Sequence, residues 1–284
     1  YARGVKTLLG NLVLASDNEE FLLSQLKRYA ENEYDYRRFR LLGLRKVMRE
    51  HTYAARLDYI CHVLGLQEYN SNAEVLLIAC VKNREEKNDI ISTFRRQTWK
   101  NSRLILLQKF SDNIQTHGNI TICHSSAELW NNVQKENDST LLALLDCKDY
   151  YAKHYIEDMV LARRYSTADV FGKASYYTMQ GDSLQLLHDG SQYYPVSRLV
   201  ASRALVSRAV VTEKWVCSAL SNPCTETPEG ASCLALDEFS YIQAGVKADD
   251  TYTTIVNDIV VHDQGMPLTS IVRSVQAAQA ITLS

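Results

Sequence analysis

The residues of this chain best suited to chemistry sit together in Asp146-Cys147-Lys148-Asp149-Tyr150-Tyr151. An apolar run, Leu141 to Leu145, stops abruptly at the first of them. In an α/β fold the crevice beyond the carboxyl ends of strands gathers converging side chains and loop amides, so an acidic cluster at such an end marks a candidate ligand site. The two aspartates also suit the start of a helix predicted to begin near Lys153, because Asp is favoured at helix starts. Both roles stay open at this stage. Cys217, Cys224 and Cys233 with His262 are a second set of reactive types, but the cysteine spacings of seven and nine match no common zinc pattern, and inert thiols are expected. Arg84, Lys173, Arg203 and Arg208 are cations within reach of an anionic ligand, each also readable as a solvated charge.

These residues need a scaffold, and the hydrophobic pattern supplies one. Residues 74–81 are a near-continuous apolar run, as expected of a strand covered on both faces in a parallel sheet. A helix over about 87–97, strands over 103–107 and 120–123, a helix over 127–135 and the strand 141–145 follow in turn. Alternation of this kind predicts βαβ units and a mostly parallel sheet. Further on, 183–188 and 192–196 read as a hairpin around Asp189-Gly190. One or two strands are expected in 199–211, strands over 234–242 and 253–261, and a terminal helix over 270–281. Before the sheet, a short strand over 12–16 precedes helices over 20–29, 35–50 and 53–64, the last with Leu57, Ile60, Cys61 and Leu64 as its inward stripe. The arginines and lysines of this region (37, 38, 40, 45, 46, 49) read as a solvated helix face. The polar stretch 66–73 marks a domain junction, giving a helical segment 1–66 and an α/β domain 74–284.

Composition narrows the function classes. The chain has 284 residues, 31 basic and 33 acidic, for a formal charge of -2, which supplies no field of the kind nucleic-acid binders use. Seven cysteines without a C-x-x-C pair argue against a disulfide scaffold and for a reducing, cytoplasmic setting. No apolar run approaches the roughly 20 residues of a membrane span, and the first residues given do not show a basic n-region followed by an apolar h-region. The chain begins at Tyr1 rather than Met, as a piece of a longer protein would.

Four segments resemble a bacterial family 2 glycosyltransferase domain of the GT-A fold. They are Leu77 to Arg84, similar to a first strand and its V-P-T-Y-N-R-like end; Phe94 to Leu106, similar to S-I-L-x-Q-T-Y-x-N-x-E-I-I-V; Asp146 to Tyr151, similar to D-D-D-D-Y-Y; and Asp169 to Tyr176, similar to A-D-I-V-G-K-A-S-Y. Residues 1–64 resemble the tail of a spore-maturation-type GT-B glycosyltransferase through Arg45, Val47, His51-Thr52-Tyr53 and Arg56. The resemblance implies a nucleotide-sugar-binding α/β sheet of GT-A type, flanked by helices and preceded by a small helical segment. It implies transfer of a sugar, UDP-linked, to a cell-surface glycan, polymer or lipid-linked acceptor. Asn83, Arg84, Asp146, Lys148 and Lys173 are then the candidate nucleotide-sugar contacts, and Asp146 with Asp149 the candidate ligands of Mn²⁺ or Mg²⁺, which prefer hard oxygen donors. Asp237 and Glu238 are the candidates for the carboxylate that takes the acceptor's proton, with plain surface positions as the alternative.

The departures from the family pattern are as specific as the matches. Lys148 stands where the family has its metal ligand, Gln108-Lys109-Phe110-Ser111 where it has a base-contacting aspartate, and no Glu-Asp pair lies in 211–239. Lys6-Thr7 replaces the donor-contacting glutamate of the GT-B tail. A lysine ammonium can neutralise diphosphate as a point charge, or it can mark a lost site. A catalytically silent GT-A-like module with a binding or assembly role is therefore the alternative to an enzyme.

Overall fold

Residues 3–66 are helical almost throughout. The computed structural model describes residues 3–66, 73–111, 118–258, 261–268 and 270. They divide into two compact units, one within Tyr1–Ser71 and Asp258–Ser284, the other within Asn72–Asn257.

In the first unit α1 (Arg3–Leu9) runs into a 3-10 turn at Gly10–Leu12, and α2 (Glu19–Glu31), α3 (Glu33–Lys46) and α4 (Tyr53–Val63) follow. Local side chains set each start: the oxygens of Asn18, Asn32 and Thr52 accept from the backbone N–H three residues on, which satisfies an orphan donor of the first turn. The strand expected over 12–16 does not form. No strand of the described residues lies in this unit to pair with it, and Gly10, at φ +55°, bends the chain where a Cβ would meet Asp263. The stripe expected to face inward on α4 is also outward: Leu57, Ile60 and Leu64 are half or more exposed, while Ala55 is buried.

The second unit carries all the sheet. In order it contains β1 (Val75–Val81), α5 (Arg84–Arg96), β2 (Ser102–Gln108), β3 (Ile120–Cys123), α6 (Ser126–Val133), β4 (Leu141–Leu145), β5 (Tyr150–Tyr151), α7 (Tyr155–Ala162), β6 (Val170–Gly172) and β7 (Tyr176–Gln180). Then come β8 (Ser183–Leu187), β9 (Pro195–Val196), β10 (Ala204–Ser207), α8 (Glu213–Ser221), β11 (Cys233–Ala235), β12 (Tyr241–Gln243) and α9 (Asp250–Val256). The larger sheet has the order β3-β2-β1-β4-β10-β6-β11-β9. Its first four strands are parallel; β10 runs antiparallel between β4 and β6. A smaller sheet has the order β5-β12-β7-β8. The expected α/β class with a large, mostly parallel sheet and flanking helices is present.

The apolar runs read in the sequence are runs because both faces are covered. Val75, Leu77, Ala79 and Val81 face a core shared with Ile90 of α5 and Ile156 and Met159 of α7; Leu76 and Ile78 face one shared with Leu129 of α6 and Trp215 and Ala219 of α8. Each fully buried aliphatic of this kind contributes about 1.5–3 kcal/mol. The site's strand ends are thereby fixed to a rigid layer.

Three expectations downstream are corrected. The hairpin is β7–β8, closed by Gly181-Asp182 with Gln180 paired to Ser183; Gly181, at φ +60°, suits a two-residue primed turn. At Asp189-Gly190 the Asp189 carboxylate instead accepts from the Gly190 N–H and the Gln192 amide, a turn closed on itself, and β9 joins β11 in the larger sheet. Residues 234–242 make two strands in different sheets, divided by a bend in which Asp237 Oδ1 accepts from Phe239 N–H. Residues 250–256 are helix rather than strand: Asp249 accepts from the N–H groups of Thr251 and Tyr252, a cap that outweighs the β-branched composition. The helix expected over 270–281 lies outside the described residues, Ser270 excepted.

Candidate functional site

Strand order reverses between β1 and β4, since β2 and β3 lie on one side of β1 and β4 on the other. Open α/β sheets bind ligands in the crevice outside the carboxyl ends of such a pair. A cavity of about 220 Å³ lies there, lined by Cys80 in β1 and Lys82 just after it, Glu86 of α5, Leu145 at the end of β4 and Asp146 to Lys148 after it, Ser202, and Ala219 to Ser221 of α8.

Asp146 sits at the mouth. Its N–H donates to the Tyr151 hydroxyl (2.8 Å), which donates to the carbonyl of Ser202 (2.9 Å). Its Oδ1 accepts the N–H of Lys148 (3.0 Å), and its carbonyl accepts the N–H of Asp149 (3.1 Å). The four residues thus form a tight turn that is locked from both sides. Oδ2 of Asp146 accepts no hydrogen bond among the described residues. Lys148, at the top of the turn, is exposed and lines the cavity.

Asp149 goes the other way. It is 6% exposed, and both oxygens are engaged: Oδ2 accepts from the Tyr241 hydroxyl (2.6 Å) and Oδ1 from the N–H of Ala244 (2.8 Å). Burial pushes its carboxyl up to about 6, against the opposing pull of those two donors. It ties β5 to β12 beneath the crevice. Neither aspartate caps the next helix, which starts at Tyr155 after His154, whose side chain meets Thr98 and Glu157 instead of capping the backbone.

Asn83 and Arg84 stand at the start of α5, directly after β1, and both are exposed. Asn83 Oδ1 accepts the N–H of Glu86 (2.9 Å), and Glu86 Oε2 accepts the N–H of Lys82 (2.6 Å), a reciprocal cap of the helix start. Lys173 and Asp237 meet each other instead of the crevice: Lys173 Nζ lies 2.8 Å from Asp237 Oδ1, and the two side chains are 0% and 4% exposed. Glu238 is 2% exposed. The surface positions expected for Asp237 and Glu238 are therefore corrected, because the chain dives between the two sheets at this point. Arg203 donates to the carbonyl of Lys173 (3.0 Å) and stacks on Tyr176. Arg208 donates to the carbonyls of Val133 and Val211.

The crevice is therefore built from Asp146 and Lys148, which the sequence indicated, and from Lys82, Glu86, Ser202 and Ser221, which it did not. Lys82 was legible as the residue after an apolar strand. Ser202 and Ser221 reach the cavity only through the antiparallel return of the chain and carry no local signal. Two thiols complete the wall. Burial pushes Cys147 up to about 12 and Cys80 upward as well, so neither is a thiolate at neutral pH.

A divalent cation does not suit these donors. Of the expected pair, Asp149 has both oxygens committed to Tyr241 and Ala244, and Lys148 occupies the third position of the motif. Among the described residues no group of three or more His, Cys, Asp or Glu side chains is placed to hold a metal ion, which includes the cysteines of 217–233.

Fold and crevice together define an open α/β-sheet protein with a polar cleft where its strand order switches. No family model and no curated protein matches the chain. Among solved structures, a crystal structure of S. aureus TarS 1–349 is similar with a TM-score of 0.39 and 11% identity, over 60% of this chain and 60% of that one. No helix among the described residues is long and apolar enough to cross a membrane.

Proposed function

We propose that residues 72–257 form a GT-A-like glycosyltransferase domain that binds a nucleotide-sugar, UDP-linked, and passes the sugar to a glycan, polymer or lipid-linked acceptor. The observation that carries this reading is the polar cavity at the β1/β4 switch, with the open Oδ2 of Asp146 at its mouth. A carboxylate oxygen in that position accepts from a ribose hydroxyl; Asn83 and Arg84 do not line the cavity but lie in the chain between two residues that do, Lys82 and Glu86, at the start of α5. The motif resemblance of Asp146 to Tyr151 supports the choice of nucleotide-sugar as ligand.

Calorimetry with UDP tests it. Binding in the micromolar to low millimolar range, weakened about tenfold by Asp146→Ala through loss of a charge-assisted hydrogen bond, is expected. An unmeasurable interaction, with or without Mn²⁺, sinks the reading.

One observation favours a second reading, a silent module that binds but does not transfer. The candidate base Asp237 and candidate contact Lys173 neutralise each other in a buried pair. UDP release from a panel of UDP-sugars separates the two: turnover abolished by Asp237→Asn or Glu238→Gln supports the enzyme, while UDP binding without turnover supports the module.

A further inference from the structure

We propose that this crevice neutralises a diphosphate with two lysines, Lys82 and Lys148, in place of a divalent cation. The inference rests on the nucleotide-binding reading above and specifies how the charge of the ligand is met.

Lys82 follows β1 and Lys148 follows β4, so two neighbouring parallel strands each end by delivering an ammonium to one cavity. Both side chains are exposed, and neither makes an ion pair or side-chain hydrogen bond among the described residues. The two carboxylates beside them are engaged at the other end of the same residues: Glu86 Oε2 holds the backbone N–H of Lys82 (2.6 Å), and Asp146 Oδ1 that of Lys148 (3.0 Å). Each lysine is thus clamped at its amide and open at its ammonium. This fixes the root of the side chain while leaving four carbons of reach.

The chemistry matches in type, and the two carboxylates of the cavity, Glu86 and Asp146, are each turned to a backbone N–H. The diphosphate of a nucleotide-sugar carries about two negative charges, and an ammonium is a compact cation that binds phosphate as a point charge. The donors needed to do the same work through Mg²⁺ or Mn²⁺ are not assembled. Asp149 is spent on Tyr241 and Ala244, Glu86 and Asp146 each already hold a backbone N–H, and among the described residues no third His, Cys, Asp or Glu joins them to complete a set of hard donors.

The test is titration calorimetry of the whole chain with UDP, uridine and inorganic pyrophosphate, each in EDTA and in Mn²⁺. The proposal expects UDP and pyrophosphate to bind in EDTA with affinities within about twofold of those in Mn²⁺. Lys82→Ala and Lys148→Ala should each weaken UDP about tenfold, the scale of a hydrogen bond to a charged group, and leave uridine unchanged. Both lysines are exposed, so the variants are expected to keep the wild-type circular dichroism. Lys→Arg at either site should restore part of the loss. UDP binding that requires Mn²⁺ overturns the proposal while leaving the nucleotide reading standing, as does UDP affinity indifferent to both lysines. Failure of UDP to bind in any condition overturns the nucleotide reading and this inference with it.

Discussion

Asp149 shows how one side chain trades charge against position. Its carboxyl, raised by burial from 3.8 to about 6, binds its proton more readily in the folded than in the unfolded chain. The stabilisation this gives is complete below the unfolded value and is lost as pH rises through about 6. Ionised Asp149 therefore costs stability at neutral pH, at most about 3 kcal/mol. Asp149→Asn keeps an acceptor for Ala244 N–H and should flatten the pH dependence of urea unfolding between about pH 4 and 6.5. Asp149→Ala, which strands the Ala244 amide and the Tyr241 hydroxyl, should destabilise by about 1–3 kcal/mol near pH 4 and by less at neutral pH, where the ionised wild type has itself lost stability. Tryptophan fluorescence reads this cleanly, because Trp99, Trp130 and Trp215 all lie in the second unit. The Lys173–Asp237 pair gives a second residue-scale test. Lys173→Met leaves a buried carboxylate unpaired and should cost about 3–5 kcal/mol, whereas Lys173→Met with Asp237→Leu should recover much of it. A loss in the double variant equal to the sum of the losses of Lys173→Met and Asp237→Leu alone would show that the pair is not coupled.

At the scale of elements, the start of α5 and the end of β6 decide the shape of the crevice. Asn83 was predicted from the motif to contact nucleotide; its side chain also caps the helix at Glu86. Asn83→Ala should therefore cost about 1 kcal/mol in unfolding, and Asn83→Ser, another good cap, should restore it. UDP affinity that falls tenfold in both variants would give Asn83 a ligand role beyond the cap. Gly172 ends β6 against the chain that carries Ser202. A Cβ there would lie 2.6 Å from the Arg203 carbonyl oxygen, so Gly172→Ala must push β6 and β10 apart. A loss of about 1–3 kcal/mol is expected, the range for overpacking a tight contact, with weaker UDP binding because Ser202 moves with β10.

For the whole molecule, the grouping of residues predicts what stands alone. Both sheets, both cores and every residue lining the crevice fall within Asn72–Asn257. A protein of residues 72–257 should fold with one cooperative transition and bind UDP within about twofold of the full chain, as circular dichroism and calorimetry would show. A molten 72–257 would mean that the first unit contributes to the stability of the second.

The sequence by itself determined most of the sheet. Leu141–Leu145 was readable to the residue because a strand buried on both faces leaves an unbroken apolar run, and its end is marked by the first charge. Helix starts expected at 20 and 53 fall at Glu19 and Tyr53, where Asn18 and Thr52 cap them through contacts between residues three apart. What lay between strands 183 and 261 was less legible. A two-residue turn can close at Gly181 or be imitated at Asp189, and only the partner strand, far along the chain, decides between them. The same holds for the site. Asp146 and Lys148 could be placed at a strand end from their order alone, but whether a charged residue faces a cavity or a neighbour depends on what packs opposite. Tertiary structure alone sent Asp149 to Tyr241, joined Lys173 to Asp237, and brought Lys82 and Ser202 to the wall of one cleft. Periodicity records burial along one chain; the sharing of a hydrogen bond between residues 64 or 92 apart exists only once the chain has closed on itself.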